Sequence, residues 1–343
     1  MADLFLQEIL EQPAALRSTR DAWLDGTLAR RLGEVLAGKR PSLVVMTGMG
    51  SSLDACHPAS AFLSSRGIRS CVIETSELLY YHARLLDGDS LLVVVTQSGE
   101  SAEPVRLVET LGGGSLIVSV TNGLDNSVAR RSTLALDLAA GLEKTVSTKT
   151  YVSTLVALVA LARALAGEPE APMAPEVDGA IDELERLLAA RDALVAPLVD
   201  AVHGRPDLQF VARGPSLATA HEAALILKEA AHRPAEAVSG GHFRHGPLEL
   251  VSQRGAYVFF AGAAPTRPLM LRLCREVARW GGRVVWVGPE GDEPFRVPLE
   301  ERDPYLLPVL EIVPIQLLAW SLARSEGRTI DGFEKLTKVT RTE

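Results

Sequence analysis

The sequence predicts an α/β protein built on parallel, doubly wound sheets, and three observations carry that prediction. Short, wholly apolar, β-branched runs, of which Leu91-Leu92-Val93-Val94-Val95 is the clearest, read as strands buried on both faces. These runs alternate with stretches of helical periodicity. The two halves of the chain also echo each other. Met46-Thr47-Gly48-Met49-Gly50-Ser51-Ser52-Leu53 aligns with Ala212-Arg213-Gly214-Pro215-Ser216-Leu217, placing Gly214 opposite Gly50. At 343 residues the chain exceeds what one hydrophobic core usually serves, so two domains are expected.

In chain order, residues 1–36 form an N-terminal helical segment whose apolar spacing is interrupted at Pro13. Strands are expected at Leu43–Met46, Ser70–Ile73, Leu91–Val95, Ser115–Val120 and Leu134–Leu136, followed by a helix from Tyr151 to Leu165. These make residues 37–166 a first domain. Gly167-Glu168-Pro169-Glu170-Ala171-Pro172-Met173-Ala174-Pro175 breaks the pattern and reads as a linker. With the amphipathic helices Val177–Ala189 and Ala193–Val202 it fills residues 167–205. A second domain, 206–330, holds strands at Gln209–Ala212, Ala256–Phe260 and Arg283–Val287, and residues 331–343 form a tail.

With 47% hydrophobic and 23% charged residues the composition is that of an ordinary globular protein. A formal charge of −8 with no Lys/Arg-rich patch argues against a nucleic-acid surface. Cys56, Cys71 and Cys274 are too few and too scattered for a disulfide frame or a zinc site, and fit buried thiols in a cytoplasmic protein. No signal peptide is expected. The most apolar helical stretch, Leu155–Leu165, carries Arg163 and is too short to span a bilayer.

The strand Leu91–Val95 empties into Thr96-Gln97-Ser98-Gly99-Glu100-Ser101 and then into a helix opening at Ala102. Ligands of open α/β sheets sit at the carboxyl ends of strands, and helix N-termini favour anions. Thr96, Ser98 and Ser101 supply hydroxyls, and Gly99 allows close backbone approach. Without Lys or Arg in the loop, this suits the phosphate of a sugar monophosphate held by neutral donors. It reads equally well as a polar turn. The corresponding Ala261-Gly262-Ala263-Ala264-Pro265 has lost its hydroxyls, so an anion site is expected in the first half only. The turn Gly48-Met49-Gly50-Ser51-Ser52-Leu53 invites a dinucleotide reading, with Glu74 as the ribose acid, but Leu53 stands where that motif needs glycine.

These motifs, with Glu222-Ala223-Ala224-Leu225-Ile226-Leu227-Lys228-Glu229, Phe243-Arg244-His245-Gly246-Pro247 and the closing Leu336-Thr337-Lys338-Val339-Thr340, together resemble the double-SIS (sugar isomerase) family. That family includes the isomerase half of glucosamine-6-phosphate synthase, amino-sugar-phosphate deaminases and ketosamine deglycases. The resemblance implies two tandem SIS-type αβα sandwiches with parallel five-stranded sheets, in a homodimer with a shared active site. It implies a phosphorylated amino sugar, such as glucosamine 6-phosphate, as substrate of an isomerase or deaminase working through enediol or enolamine chemistry. Thr96, Gln97, Ser98, Gly99 and Ser101 then correspond to the phosphate loop, and Ser52, Thr145 and Ser147 to sugar contacts. Ser147 reads also as a cap of the following helix. Glu229 corresponds to the base moving a proton between C1 and C2. Its place after an apolar helical face favours partial desolvation, whereas a solvated helix-end glutamate is the plainer reading. His245 corresponds to the ring-opening histidine and Lys338 to an imine-forming amine.

No cofactor is expected. No metal is expected either, because no carboxylate or cysteine cluster completes His242 and His245. Ile226 stands where the synthase helix has a proton-shuttling lysine, which favours breakdown or isomerisation over synthesis. The isomerase-like part begins close to Met1, so no glutaminase domain is expected. A non-catalytic sugar-phosphate sensor is the rival reading.

Overall fold

In the computed structural model, which describes residues 3–86, 88–111, 115–291, 295–335 and 337–340, the strands form two five-stranded sheets, parallel throughout. The first holds β1 (Leu43–Gly48), β2 (Ser70–Glu74), β3 (Ser90–Val95), β4 (Leu116–Thr121) and β5 (Leu134–Asp137), in the order β2-β1-β3-β4-β5. The second holds β6 (Asp207–Ala212), β7 (Glu236–Ser239), β8 (Gly255–Phe260), β9 (Arg283–Gly288) and β10 (Arg296–Pro298), in the order β10-β9-β8-β6-β7. Strand for strand, β6 to β10 repeat β1 to β5. The fold class expected from the sequence is the one observed.

Contacts divide the chain into two compact units, each built from two pieces of sequence. Ala14–Asp178 clusters with the segment from Gly332 onward, and the residues up to Pro13 cluster with Gly179–Asp331. In the unit of the first sheet, β1, β3 and β4 are almost wholly buried, as both-face coverage of a parallel sheet requires. Val45, Leu92, Val94 and Ile117 pack on one face with Leu107 and Val108 of helix Ala102–Leu111 and Val128 of helix Ser127–Arg131. The alternate residues Val44, Met46, Leu91, Val93 and Val118 point the other way and are equally buried. Helix Lys149–Leu165 is buried continuously from Lys149 to Ala162 and packs against helix Cys56–Ser65. Each fully buried Val or Leu here contributes about 1.5–3 kcal/mol.

In the unit of the second sheet, Val211, Tyr257, Phe259, Ala261, Val284 and Trp286 meet Met270, Leu273, Cys274 and Val277 of helix Arg267–Arg279. Helices Arg191–Val202, Leu217–Ala230 and Val313–Ser325 also pack together.

Several local expectations are corrected. The N-terminal helical segment is interrupted, but at Glu11, ahead of Pro13, which sits at the second position of Gln12–Trp23, where its missing N–H has no intrahelical partner to lose. The preceding helix ends at Leu10. The stretch read as a linker contains the start of helix Ala174–Ala189, with Pro175 again in the first turn. Strands β7 and β10 escape sequence reading because they are edge strands of 4 and 3 residues, carrying Glu236 and Pro298. Cys56 and Cys274 are buried and outside any disulfide, as expected, whereas Cys71 on the edge strand β2 is half-buried. Among the described residues no helix is long and apolar enough to cross a membrane.

Candidate active site

The strand order of the first sheet places its topological switch point between β1 and β3, since the chain leaves β1 toward β2 and returns on the other side to β3. A crevice opens at the carboxyl ends of such a strand pair. The two loops issuing there are Met49–Ser52 and Thr96–Ser101, started side by side by the pairing of Thr47 with Val94. At the first loop, Gly48 is required because a Cβ would lie 2.9 Å from the Leu53 nitrogen. Gly50 turns the chain at φ +52° into the short helix Ser51–Asp54, leaving Ser52 half-buried.

The second loop is held from below by backbone bonds. Thr96 N–H donates to Val120 O at 3.1 Å, and Gln97 O and Gly99 O accept the N–H groups of Asn122 and Val128 at 3.0 and 3.2 Å. Glu100 carboxylate oxygens accept Ser127 N–H and Oγ–H at 2.7 and 3.1 Å, so this acid is turned into the scaffold. Gly99 has φ +64°, and a Cβ there would fall 1.9 Å from Asn126 Oδ1, the atom that caps helix Ser127–Arg131. Only glycine fits. Gly99→Ala is therefore expected to cost about 1–3 kcal/mol in strain and to displace the loop. Chemical denaturation, with titration of a sugar phosphate on the folded variant, checks this. Thr96 is buried, whereas Gln97, Ser98 and Ser101 are half-buried.

The third element is the segment before helix Lys149–Leu165. Glu143, 2% exposed, accepts from Thr148 N–H at 2.8 Å, Thr148 Oγ1 at 3.1 Å, Thr150 N–H at 3.2 Å and Thr150 Oγ1 at 2.6 Å. A carboxylate on the first-turn N–H groups is what the helix dipole favours. Glu143 thus does the capping that the sequence suggested for Ser147, whose Oγ instead shares a 3.1 Å bond with Thr150 Oγ1. The fourth element is the tail. Lys338 Nζ pairs with Glu143 Oε2 at 2.9 Å and donates to Thr145 O at 2.7 Å. Two residues on, Thr340 O accepts the N–H of Ala102, the first residue of the helix that follows the phosphate-type loop. The tail therefore bridges the loop helix and the Thr145–Ser147 segment. Leu336, the first residue of the tail motif, lies outside the described residues.

Seven expected positions from Thr96 to Ser147, together with Ser52 and Lys338, therefore belong to one unit. Glu229 and His245 belong to the other. Glu229 is half-buried in the last turn of helix Leu217–Ala230. His245 is exposed between two short 3₁₀ turns, its N–H on His242 O at 2.8 Å. Ile226 is fully buried, its side chain part of the core. Among the described residues, no group of three or more His, Cys, Asp or Glu is arranged to hold a metal ion. Glu143 escaped sequence reading. The only signal was an acid lying shortly before a Thr/Ser-rich helix start.

A parallel sheet whose switch-point crevice is lined by hydroxyls and a glycine at a helix N-terminus defines an α/β protein with a polar crevice at the carboxyl ends of its strands. Residues 39–164 match the family model described as SIS domain. The chain is 31% identical over 352 residues to the glutamine–fructose-6-phosphate aminotransferase [isomerizing] of Pyrococcus horikoshii, covering 98% of this chain and 57% of that relative. The chain thus spans little more than half the length of the curated relatives it matches. The C-terminal domain of glucosamine-fructose-6-phosphate aminotransferase from Francisella tularensis superposes with a TM-score of 0.85 at 24% identity, covering 100% of this chain and 99% of that one. Glucosamine-6-phosphate deaminase of Thermotoga maritima gives 0.80 at 21% identity, over 98% and 99% of the two chains. Residues 39–164 thus form a SIS domain.

Proposed function

We propose that this protein is an isomerase or deaminase of an amino-sugar phosphate, of the glucosamine 6-phosphate type. The observation that supports it best is the tail: Lys338 lies on Glu143 and Thr145, while the same tail takes an N–H at the start of the loop helix. That arrangement ties the lysine-bearing tail to the start of the helix behind the hydroxyl loop, which supports the reading. In this reading Thr96, Gln97, Ser98, Gly99 and Ser101 hold the phosphate, and Ser52, Thr145 and Ser147 meet the sugar. The second unit contributes Glu229 and His245 in a homodimer with a shared site, the exposed loop of His245 serving the partner.

The steps follow from the roles. His245 passes a proton to the ring oxygen as the pyranose opens. Glu229 takes the proton from C2 of the open aldose and returns it to C1, while a second proton passes from the hydroxyl or amino group on C2 to O1, converting the aldehyde into its ketose isomer. With an amino group at C2 the product is a ketose imine. The Lys338 amine displaces ammonia from it, and water then hydrolyses the lysine imine to the free ketose. Lys338 must leave its contacts with Glu143 and Thr145 before it attacks. The apolar, buried Ile226 removes an amine from the helix that carries Glu229 and favours this direction over amination.

The test is incubation in deuterated water with glucosamine, galactosamine and fructosamine 6-phosphates and glucose 6-phosphate, followed by a coupled ammonia assay. Deuterium at C1 or C2 is expected. Ammonia from an aminosugar identifies a deaminase, and ketose from glucose 6-phosphate without ammonia identifies an isomerase. Ammonia from fructosamine 6-phosphate alone indicates a deglycase. Binding with no exchange on any of them defeats the enzyme reading and leaves a sensor.

A further inference from the structure

The second sheet has its own switch point, between β6 and β8, because β6 to β10 repeat the order of β1 to β5. Its crevice is bounded by the turn Arg213–Leu217, the loop Ala261–Thr266 and the segment before helix Val313–Ser325. The donors of an oxyanion site are present there. Ser216 and Thr219 offer hydroxyls at the start of the 14-residue helix Leu217–Ala230. Gly262 is left-handed at φ +63°, one residue past Ala261, whose N–H donates to Val287 O as that of Thr96 does to Val120 O. Arg267, 3% exposed, donates to Gly262 O at 3.1 Å and pairs with Glu301 at 2.8 Å and Glu290 at 3.4 Å.

A carboxyl group already lies among these donors. Glu311 is 0% exposed; its Oε1 accepts from Ser216 Oγ at 3.0 Å and its Oε2 from Thr219 Oγ1 at 2.9 Å, with Gly262 N–H also directed to it. Glu311 stands two residues ahead of helix Val313–Ser325, as Ser147 stands two ahead of Lys149–Leu165. Where the first unit presents the short hydroxyl of Ser147, the second sends a longer acidic side chain across to the turn after β6. We propose that the second crevice is an oxyanion site whose occupant is the chain's own Glu311, and that a phosphate group enters it only when that side chain is shortened.

Inorganic phosphate is the probe, on the full chain at pH 8, with wild type and Glu311→Ala compared by thermal unfolding and by diffraction from soaked crystals. Glu311→Ala is expected to gain a phosphate-dependent rise in Tm of several degrees beyond that of wild type. The soaked variant should hold phosphate against Ser216, Thr219 and Gly262. The wild type should hold none there. A folded Glu311→Ala that takes no phosphate at those residues overturns the proposal. Phosphate at those residues in wild type overturns it too, and that arm remains decisive if the alanine variant does not fold. The proposal concerns the second crevice alone. Phosphate missing from Thr96–Ser101 would count against the proposed function and leave this inference standing.

Discussion

Glu229→Gln is expected to lower turnover by about 10²–10⁴ while leaving sugar-phosphate affinity close to that of the parent chain. The two effects separate because the groups belong to different units. Glu229 lies on helix Leu217–Ala230, whereas Thr96–Ser101 is braced by Val120, Asn122 and Val128 within the first sheet's own unit. The substitution keeps side-chain length and hydrogen-bonding reach and removes only the capacity to take up a proton at the acidic oxygen. Isothermal titration with glucosamine 6-phosphate measures the binding arm, and deuterium incorporation at C1 or C2 measures the proton transfer. Full exchange in Glu229→Gln would mean that another group moves the proton. Loss of binding together with turnover would mean that Glu229 supports the site's shape.

The strands that set the crevices were the most legible part of the fold. Leu91–Val95 and Ala256–Phe260 are buried on both faces, so their composition is uniform and their ends are sharp. The hydroxyl loop was visible because it follows such a strand directly, although the groups that brace it, Val120, Asn122 and Val128, are distant in sequence. Glu143 and Glu311 were not visible, for a common reason. Each is a single acid with a partner distant in sequence: Lys338, added to the nearby Thr148 and Thr150, for Glu143, and Ser216 with Thr219 for Glu311. Glu311 did leave one trace, as the lone carboxylate within the apolar run Leu306–Leu318. A buried acid in such a run requires partners, and only the fold says which. Glu229 shows the opposite case, since its helix and its half-buried place follow from local pattern, whereas its proposed role rests on family resemblance.

Glu311 also makes stability depend on pH in a direction opposite to that of most carboxylates. Burial is the dominant influence and raises its pKa from an ordinary 4.5 to about 7, against the opposing pull of Ser216, Thr219, the Gly262 N–H and Arg267. A carboxyl with a raised folded-state pKa holds its proton in the native chain over a range where the unfolded chain has released it. Its contribution is therefore full below about pH 4.5, declines as pH rises toward 7, and stays at its minimum above that. The span corresponds to about 3 kcal/mol at most. Glu311→Gln replaces the carboxyl by a neutral amide of the same shape, able to meet one hydroxyl as acceptor and the other as donor. The variant should match wild type near pH 5 and exceed it in unfolding free energy by up to about 3 kcal/mol at pH 8. Denaturant titrations of both proteins at the two pH values give the difference directly, with all other titrating groups cancelling between them. A difference that does not change with pH would mean that Glu311 keeps one protonation state throughout this range. A variant less stable at pH 8 than at pH 5, relative to wild type, would mean that the hydroxyls, the Gly262 N–H and Arg267 outweigh burial.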